Sequence, residues 1–462
     1  MSLPPVEGSS PWDAAWTSPE PSRWTTSSRS SPRPNANDCA RSPRSATRTP
    51  VSAERVVPLP EAVRRAGAAL AHLGLTPDLV DMGEGREPAA WHCRLRGPDG
   101  VPAPSAEGMG KGRRAEARAG ALFEALEHYL TGPALFDPAA VEPVEPARIA
   151  AGPLRADASA VLLDGRCAAP LACNRYQGPG GAVPVPLFLS APWYVEADAA
   201  RLRERAGDAH DYTGLMRYSC NSGSAVGVTA TEALLHALNE TIERDALSLL
   251  LVRAFLGTGE RPSVVDPRTL PPELARAHAV AGQVTGAPVH LLDITSDLMV
   301  PTMLAYVAPT PDRPHRRGAG TSLSPAHAAW RALTELVQTT VGERIQRRGD
   351  AERLARYPEL LACGRFDLTE HLHAARTVPF PEDGARPGRP RDQLREVAAR
   401  LGARGYAPLT RTVAVLPGWI TAVHVVVPGL ERFMLVVEGN LVLPGPRGRA
   451  AVRHAVRAGD GC

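Results

Sequence analysis

Lysine is almost absent from this chain: Lys111 is the only one among 52 basic residues. An arginine fork cannot replace a compact ammonium where a point charge must reach a phosphate, so the retained lysine reads as an anion ligand. Its surroundings, Gly108 to Arg114, read as a glycine-rich loop whose backbone N–H groups approach the same anion. No Ser or Thr follows the lysine, which excludes a Walker A loop. Cysteine is sparse and unpatterned: seven residues, an odd number, with no C-x-x-C pair. That excludes a disulfide framework and a thiolate zinc site, and it predicts a reducing, cytoplasmic setting. Cys220 reads as a small buried thiol. Long apolar runs are missing too: SLLLVRAFLG is broken by Arg253 and falls well short of the roughly 20 residues that span a bilayer. The net charge of +3 is too slight to argue for nucleic acid or an anionic membrane. A peptide is the partner that remains.

Carboxylates on apolar helices are what the sequence does contain. From Ser219 to Asp245 a loop of small residues runs into a predicted helix bearing Glu232, Glu240 and Glu243. At 3.6 residues per turn these three share one side. Ala233, Ala237, Leu247 and Leu251 flank them, and Leu235, Leu238, Ile242 and Leu249 occupy the opposite face, so the helix is expected to be buried. The three-residue spacing recurs at Glu124 and Glu127 in AGALFEALEHYL and at Glu335 and Gln338 in AHAAWRALTELVQTT. A single Glu-x-x-Glu pair is ordinary on a solvated helix. Three such pairs of oxygen ligands on apolar helices suit a hard cation, and Mg²⁺ arrives with nucleotide phosphates. Buried like charges also require cations among them.

The ordered series Gly-Lys-Gly, A-x-x-E-A-x-E, S-G-x-A-x-G-x-x-x-x-E-A with E-x-x-E-R-D, A-L-T-E-x-x-Q and VVVPGLE resembles a YcaO-domain protein over about Val56 to Arg449. The resemblance implies ATP-dependent activation of a peptide backbone amide: a nucleophile adds, the oxyanion is phosphorylated, and phosphate leaves to give an azoline, with thioamide or amidine formation as products of the same chemistry. It implies that Lys111 approaches the phosphates, that Glu124, Glu127, Glu240, Glu243 and Glu335 hold Mg²⁺, that Glu232 and Gln338 complete the ATP cleft, and that Arg244 neutralises phosphate charge. Asp245 is expected to close a structural contact, and no catalytic residue beyond these ligands is assigned. A ribosomal precursor peptide and a separate protein for leader recognition are the implied partners, and a homodimer is compatible with the pattern.

Departures from that pattern thin the polar contacts around the nucleotide. His128 stands where arginine is usual, Gly120 where serine is frequent and Val228 where asparagine is frequent. Asn221-Ser222-Gly223 inverts Ser-Asn-Gly, and Thr340 replaces an arginine that Arg344 could supply one turn later. Only Pro444 and Pro446 alternate near the C-terminus, where many azoline-forming members carry a longer proline-alternating tail. Phe433 to Val442 reads as a strand pair turning at Gly439-Asn440, with PGPR opening a closing segment. Elsewhere a helix is expected from Glu61 to Leu73 and a strand from Ala90 to Leu95. The fold class is α+β, one catalytic domain over 55–462 with helices bringing their carboxylates around an ATP/Mg²⁺ cleft. Residues 1–54, rich in Ser, Pro and Arg, form a disordered segment dispensable for folding and nucleotide binding. A catalytically silent nucleotide-binding scaffold and a metal-carboxylate hydrolase are the competing readings. No histidine sits at ligand spacing for the second.

Overall fold

Pro60 in its first turn and Gly74 just past its end, at φ 68°, punctuate helix α1 (Leu59–Leu73), as the sequence led us to expect. The computed structural model describes residues 54–163, 169–257, 261–343, 350–382 and 387–459. The expectation for residues 1–53 and the assignment of Arg344 therefore lie outside the described residues. Strands β1 (Thr76–Asp81), β2 (Ala89–Arg96) and β3 (Pro102–Gly112) form an antiparallel meander, and β2 contains the expected strand. Helix α2 (Arg114–Thr131) follows directly. The chain continues through β4 (Glu142–Val144), β5 (Leu171–Gly178), β6 (Gly181–Pro186) and β7 (Ser224–Gly227) into α3 (Ala230–Leu251), whose first turn is capped by the Thr229 side chain accepting from the Glu232 amide.

Beyond α3 come β8 (Ser263–Val265), α4 (Pro272–Thr285), β9 (His290–Asp293), β10 (Thr302–Val307), β11 (Arg316–Thr321) and α5 (Pro325–Val341). Ser324 caps α5 through the His327 amide. After β12 (Arg376–Val378), helix α6 (Pro390–Ala403) leads to β13 (Leu409–Leu416) and β14 (Ile420–Val426), and α7 (Pro446–Gly459) closes the chain. One sheet runs β11-β10-β9-β8-β12, the other β4-β5-β13-β14-β7 with β6 on β5. The result is the α+β class that the sequence indicated. Among the described residues no helix is long and apolar enough to cross a membrane.

Three strand-helix units place the carboxylates. Helix α2 lies on β3 and reaches β7, α3 lies on β7 and reaches β11, and α5 lies on β11 and reaches β3. Each helix thus leans on its own strand and on the next unit's strand, so the three units close into a ring. Glycine allows the close approach. A Cβ on Gly110 would sit 1.8 Å from the Ala117 carbonyl oxygen, and one on Gly318 2.4 Å from that of Ala332. Lys111 is consequently not on an anion-binding loop: it lies in β3, paired with Ala90, and its flanking Gly110 serves strand-helix packing.

Helix α3 is buried on both sides, including Ala233, Leu235, Ala237, Leu238, Ile242, Leu247, Leu249 and Leu251. The expected strand pair at Phe433–Val442 is absent. Phe433–Glu438 instead forms a 3₁₀ helix whose Phe433, Met434, Leu435 and Val436 are all buried, and Gly439 at φ 79° ends it. The segment packs against α3 rather than pairing with a strand edge. The Met434 amide donates to Ser248 Oγ on α3 (2.8 Å), fixing this turn to the helix that carries Glu240 and Glu243. Glu54 belongs to the folded unit: it is buried, and accepts from Ser322 Oγ at 2.6 Å.

Candidate active site

Four of the five carboxylates are aimed by a backbone amide of a strand or of the loop beside it. Glu124 accepts from the Met109 amide at 3.0 Å, Glu240 from Gly223 at 3.2 Å and Glu335 from Ala319 at 3.4 Å. Glu127 takes a backbone bond from Val226. Because Met109, Val226 and Ala319 sit on strands beneath the helices and Gly223 directly precedes β7, one oxygen of each of these four carboxylates is tied to the sheet layer. The ring of strand-helix units then turns the carboxylates toward one another.

Charges from all three helices meet there. The Lys111 ammonium pairs with Glu335, both partly exposed, and Arg244 reaches Glu240 at 3.3 Å. Burial, then the facing Glu240 and Glu124, pushes the Glu127 carboxyl well above the ordinary carboxylate range. Burial also raises Glu124, against the pull of His128, the Met109 amide and Lys111. Glu243 is raised by burial and by Glu335, against Arg244, Arg331 and Lys111. Glu335 goes the other way: burial opposes its charge, but Lys111, Arg244 and Arg331 hold it below the usual value. Arg244 stays firmly charged, since Glu240, Glu243 and Glu335 outweigh its burial.

Two predicted residues stand apart from this network. Glu232, at the head of α3, is buried and accepts from the Val228 amide at 3.1 Å and from the Val56 amide. Gln338 is buried one turn beyond Glu335, and among the described residues no hydrogen bond of its amide joins it to the carboxylates. Asp245 is fully buried and structural, as expected: it accepts from the Glu431 amide at 2.9 Å and from Arg447 Nε at 2.9 Å. Cys220 is only partly buried, with Arg432 Nη1 3.4 Å from its sulfur.

Two basic residues at the site, Arg331 and His236, add to the set that the sequence indicated. Arg331 lies one turn before Glu335 on the same face of α5, a relation the spacing alone could have revealed. Its Nη1 is 3.5 Å from His236 Nδ1, and its buried Nε has no partner. His236 lies midway between Glu232 and Glu240, and burial with Arg331, Arg55 and Lys111 nearby holds its ring neutral. Arg317, on β11, lines the groove beside the carboxylates and among the described residues bonds to none of them, and no sequence spacing marks it.

The donor set fits Mg²⁺ arriving with phosphates. All the donors are oxygens, Glu243 Oε2 is buried without a partner, and the raised carboxyls are those that face other carboxylates. Among the described residues no three His, Cys, Asp or Glu side chains already converge as a closed metal cage. Mg²⁺ characteristically keeps several waters and takes one or two carboxylates plus phosphate oxygens, so an open carboxylate rim suits it better than a cage.

Residues 109–431 match the family described as YcaO cyclodehydratase, ATP- and Mg²⁺-binding. An uncharacterised protein from the tfuA 3′ region of Rhizobium leguminosarum bv. trifolii is 28% identical over 245 residues, which cover 51% of this chain and 57% of that protein. An uncharacterised protein of Methanothermobacter thermautotrophicus is 31% identical over 233 residues, 48% of this chain and 58% of its own length. The chain therefore matches a little over half the length of these relatives. Among solved structures, YcaO from Methanopyrus kandleri bound with AMPPCP and Mg²⁺ has a similar fold, with a TM-score of 0.59 at 20% identity over 85% of this chain and 96% of that one. A heterocyclase in complex with substrate and cofactor gives 0.54 at 17% over 82% and 54%. A chain of the E. coli microcin synthetase McbBCD complex gives 0.50 at 10% over 77% and 88%.

Proposed function

The chain belongs to the YcaO family, and on that premise we propose that it uses ATP to activate a backbone amide of a ribosomal precursor peptide. A side-chain nucleophile of the peptide adds to the amide carbonyl, the resulting oxyanion takes the γ-phosphoryl group with release of ADP, and loss of phosphate and a proton completes azoline-forming cyclodehydration. The observation that carries this reading is the meeting of Glu124, Glu127, Glu240, Glu243 and Glu335 from three helices with Lys111, Arg244 and Arg331 between them. Phosphoryl transfer asks the protein mainly for positioning and charge neutralisation, and this arrangement supplies both.

Mg²⁺ held by the five glutamates would neutralise phosphate oxygens that carboxylates alone would repel. Lys111 offers a point charge that strand β3 fixes in place, and its ammonium passes from Glu335 to a phosphate oxygen. Arg244 and Arg331 flank the same space with guanidinium groups. A groove of about 1060 Å³ opens from Arg244 and Glu335 along the β10–β11 connection, past Thr310 and His315, to Asp350 and Glu438. It has room for an extended peptide beside the phosphates. A leader-binding partner completes the proposal, in keeping with the multi-protein setting of the microcin synthetase chain.

The test is to incubate the purified full chain with Mg·ATP and candidate precursor peptides, following phosphate release and peptide mass. Phosphate release with loss of one water from the peptide supports azoline formation. A mass change matching oxygen-for-sulfur exchange or amidine closure moves the product to thioamide or amidine. Tight nucleotide binding with neither phosphate release nor a mass change, across peptides and partner proteins, would leave a scaffold and sink the enzyme reading.

A further inference from the structure

The groove beside the carboxylates carries one cation that the chemistry above has not used. Arg317, on β11, lines the groove together with Arg244 and Glu335. The other arginines of this wall each have a carboxylate partner. Arg316 Nη2 meets Glu343 at 3.3 Å and its Nη1 the Thr285 carbonyl at 3.2 Å, Arg365 meets Glu352 at 2.8 Å, and Arg244 meets Glu240 at 3.3 Å. Among the described residues Arg317 makes no ion pair. Its guanidinium lies over the Phe366 ring, 5.8 Å from the centroid, a contact that orients it without cancelling its charge. Glu335 is already engaged by Lys111, and Glu438 shares the wall without pairing to Arg317.

Two guanidinium groups, Arg244 and Arg317, thus face one end of a groove, and an unpaired partly buried cation is costly unless an anion completes it. We propose that Arg317 and Arg244 form an anion subsite on the groove side of the metal rim, and that its ligand is the phosphate dianion released by the reaction. Two planar forks at a groove end match a tetrahedral dianion with several acceptor oxygens. The subsite shares Arg244 with the nucleotide site and adds Arg317 on its groove side, and it gives released phosphate a place on the side from which the groove opens to solvent. The inference rests on the ATP-dependent reading.

The experiment measures binding of radiolabelled inorganic phosphate to the full chain by equilibrium dialysis in the presence of saturating Mg·ADP, and, separately, the affinity for Mg·AMPPCP. The expected result is saturable phosphate binding that Arg317→Ala weakens at least about tenfold, as loss of a charge-assisted bidentate contact requires. Arg317→Lys should recover part of it, and both variants should keep the parent melting temperature and bind Mg·AMPPCP within about twofold of the parent. Phosphate binding in Arg317→Ala equal to the parent, or none in the parent, overturns the subsite. An equal loss of Mg·AMPPCP places Arg317 in the nucleotide cradle and also overturns it. Failure of the parent to bind Mg·AMPPCP at all strikes instead at the ATP-dependent reading.

Discussion

Glu240 and Glu243 sit one turn apart on α3, yet their surroundings differ. Glu240 has partners for both oxygens, the Gly223 amide and Arg244, whereas Glu243 keeps a buried oxygen with none. An orphaned buried carboxylate oxygen is unfavourable in the apoprotein and becomes a ligand once a cation arrives. Glu240→Gln and Glu243→Gln are each expected to lower turnover at limiting Mg²⁺ by at least about tenfold, or roughly 1.4 kcal/mol of transition-state stabilisation. Thermal melts should show both variants folded. Wild-type phosphate release by either would remove that residue from the metal rim. Lys111→Arg poses a sharper question, because charge is kept while the compact head is lost. A raised KM for ATP at saturating peptide is the expected outcome, and unchanged kinetics would reduce Lys111 to a partner for Glu335. The spacing of these residues made them legible as a set. Arg331, in the same RALTE segment, shares their helical spacing, but the abundance of arginine in this chain masks it.

Strand-helix contact is the level at which the glycines act. Gly110→Ala puts a methyl group against the Ala117 carbonyl with no flexible side chain to yield, so β3 must move off α2. A lower melting temperature and a higher KM for ATP are expected together, since Lys111 rides on that strand. Loss of one without the other would separate packing from positioning. A second test concerns β14. His424 is buried against Tyr176, whose hydroxyl lies 2.8 Å from Nδ1, and burial with Arg432 and Arg411 nearby depresses its ring to about 3. Its folded pKa lies below the ordinary histidine value of 6.5, so the unfolded chain binds the proton more readily. This contribution to stability is present above that value and is lost as pH falls from about 6.5 toward 3, by at most about 1.4 kcal/mol per pH unit. Denaturant midpoints should fall over that window, and His424→Gln should flatten the slope. An unchanged slope would assign the acid sensitivity to other groups. Elements with caps and periodicity, such as α1 and α3, were readable in advance. Phe433–Glu438 was not, because valine and phenylalanine favour strands locally while the segment packs against α3, a long-range contact.

For the whole molecule, the folded unit reaches back at least to Glu54. This carboxylate is tied to Ser322 at 2.6 Å and His327 at 3.4 Å, and the Val56 amide donates to Glu232 at the head of α3. Removing residues 1–53 should leave melting temperature and Mg·AMPPCP affinity at parent values. Removing residues 1–57 should lower both, since it strips partners from α3 and α5 together. Equal behaviour of the two truncations would show that these contacts do not support the site. By itself the sequence determined the α+β class and the helices that carry the paired glutamates, because apolar periodicity and carboxylate spacing are local properties of each segment. Only the tertiary structure decided that Lys111 stands on a strand, that Arg317 joins the groove and that Glu232 is occupied by backbone amides. Those facts depend on which distant segments the ring of strand-helix units brings within hydrogen-bond reach, and no local pattern encodes that distance.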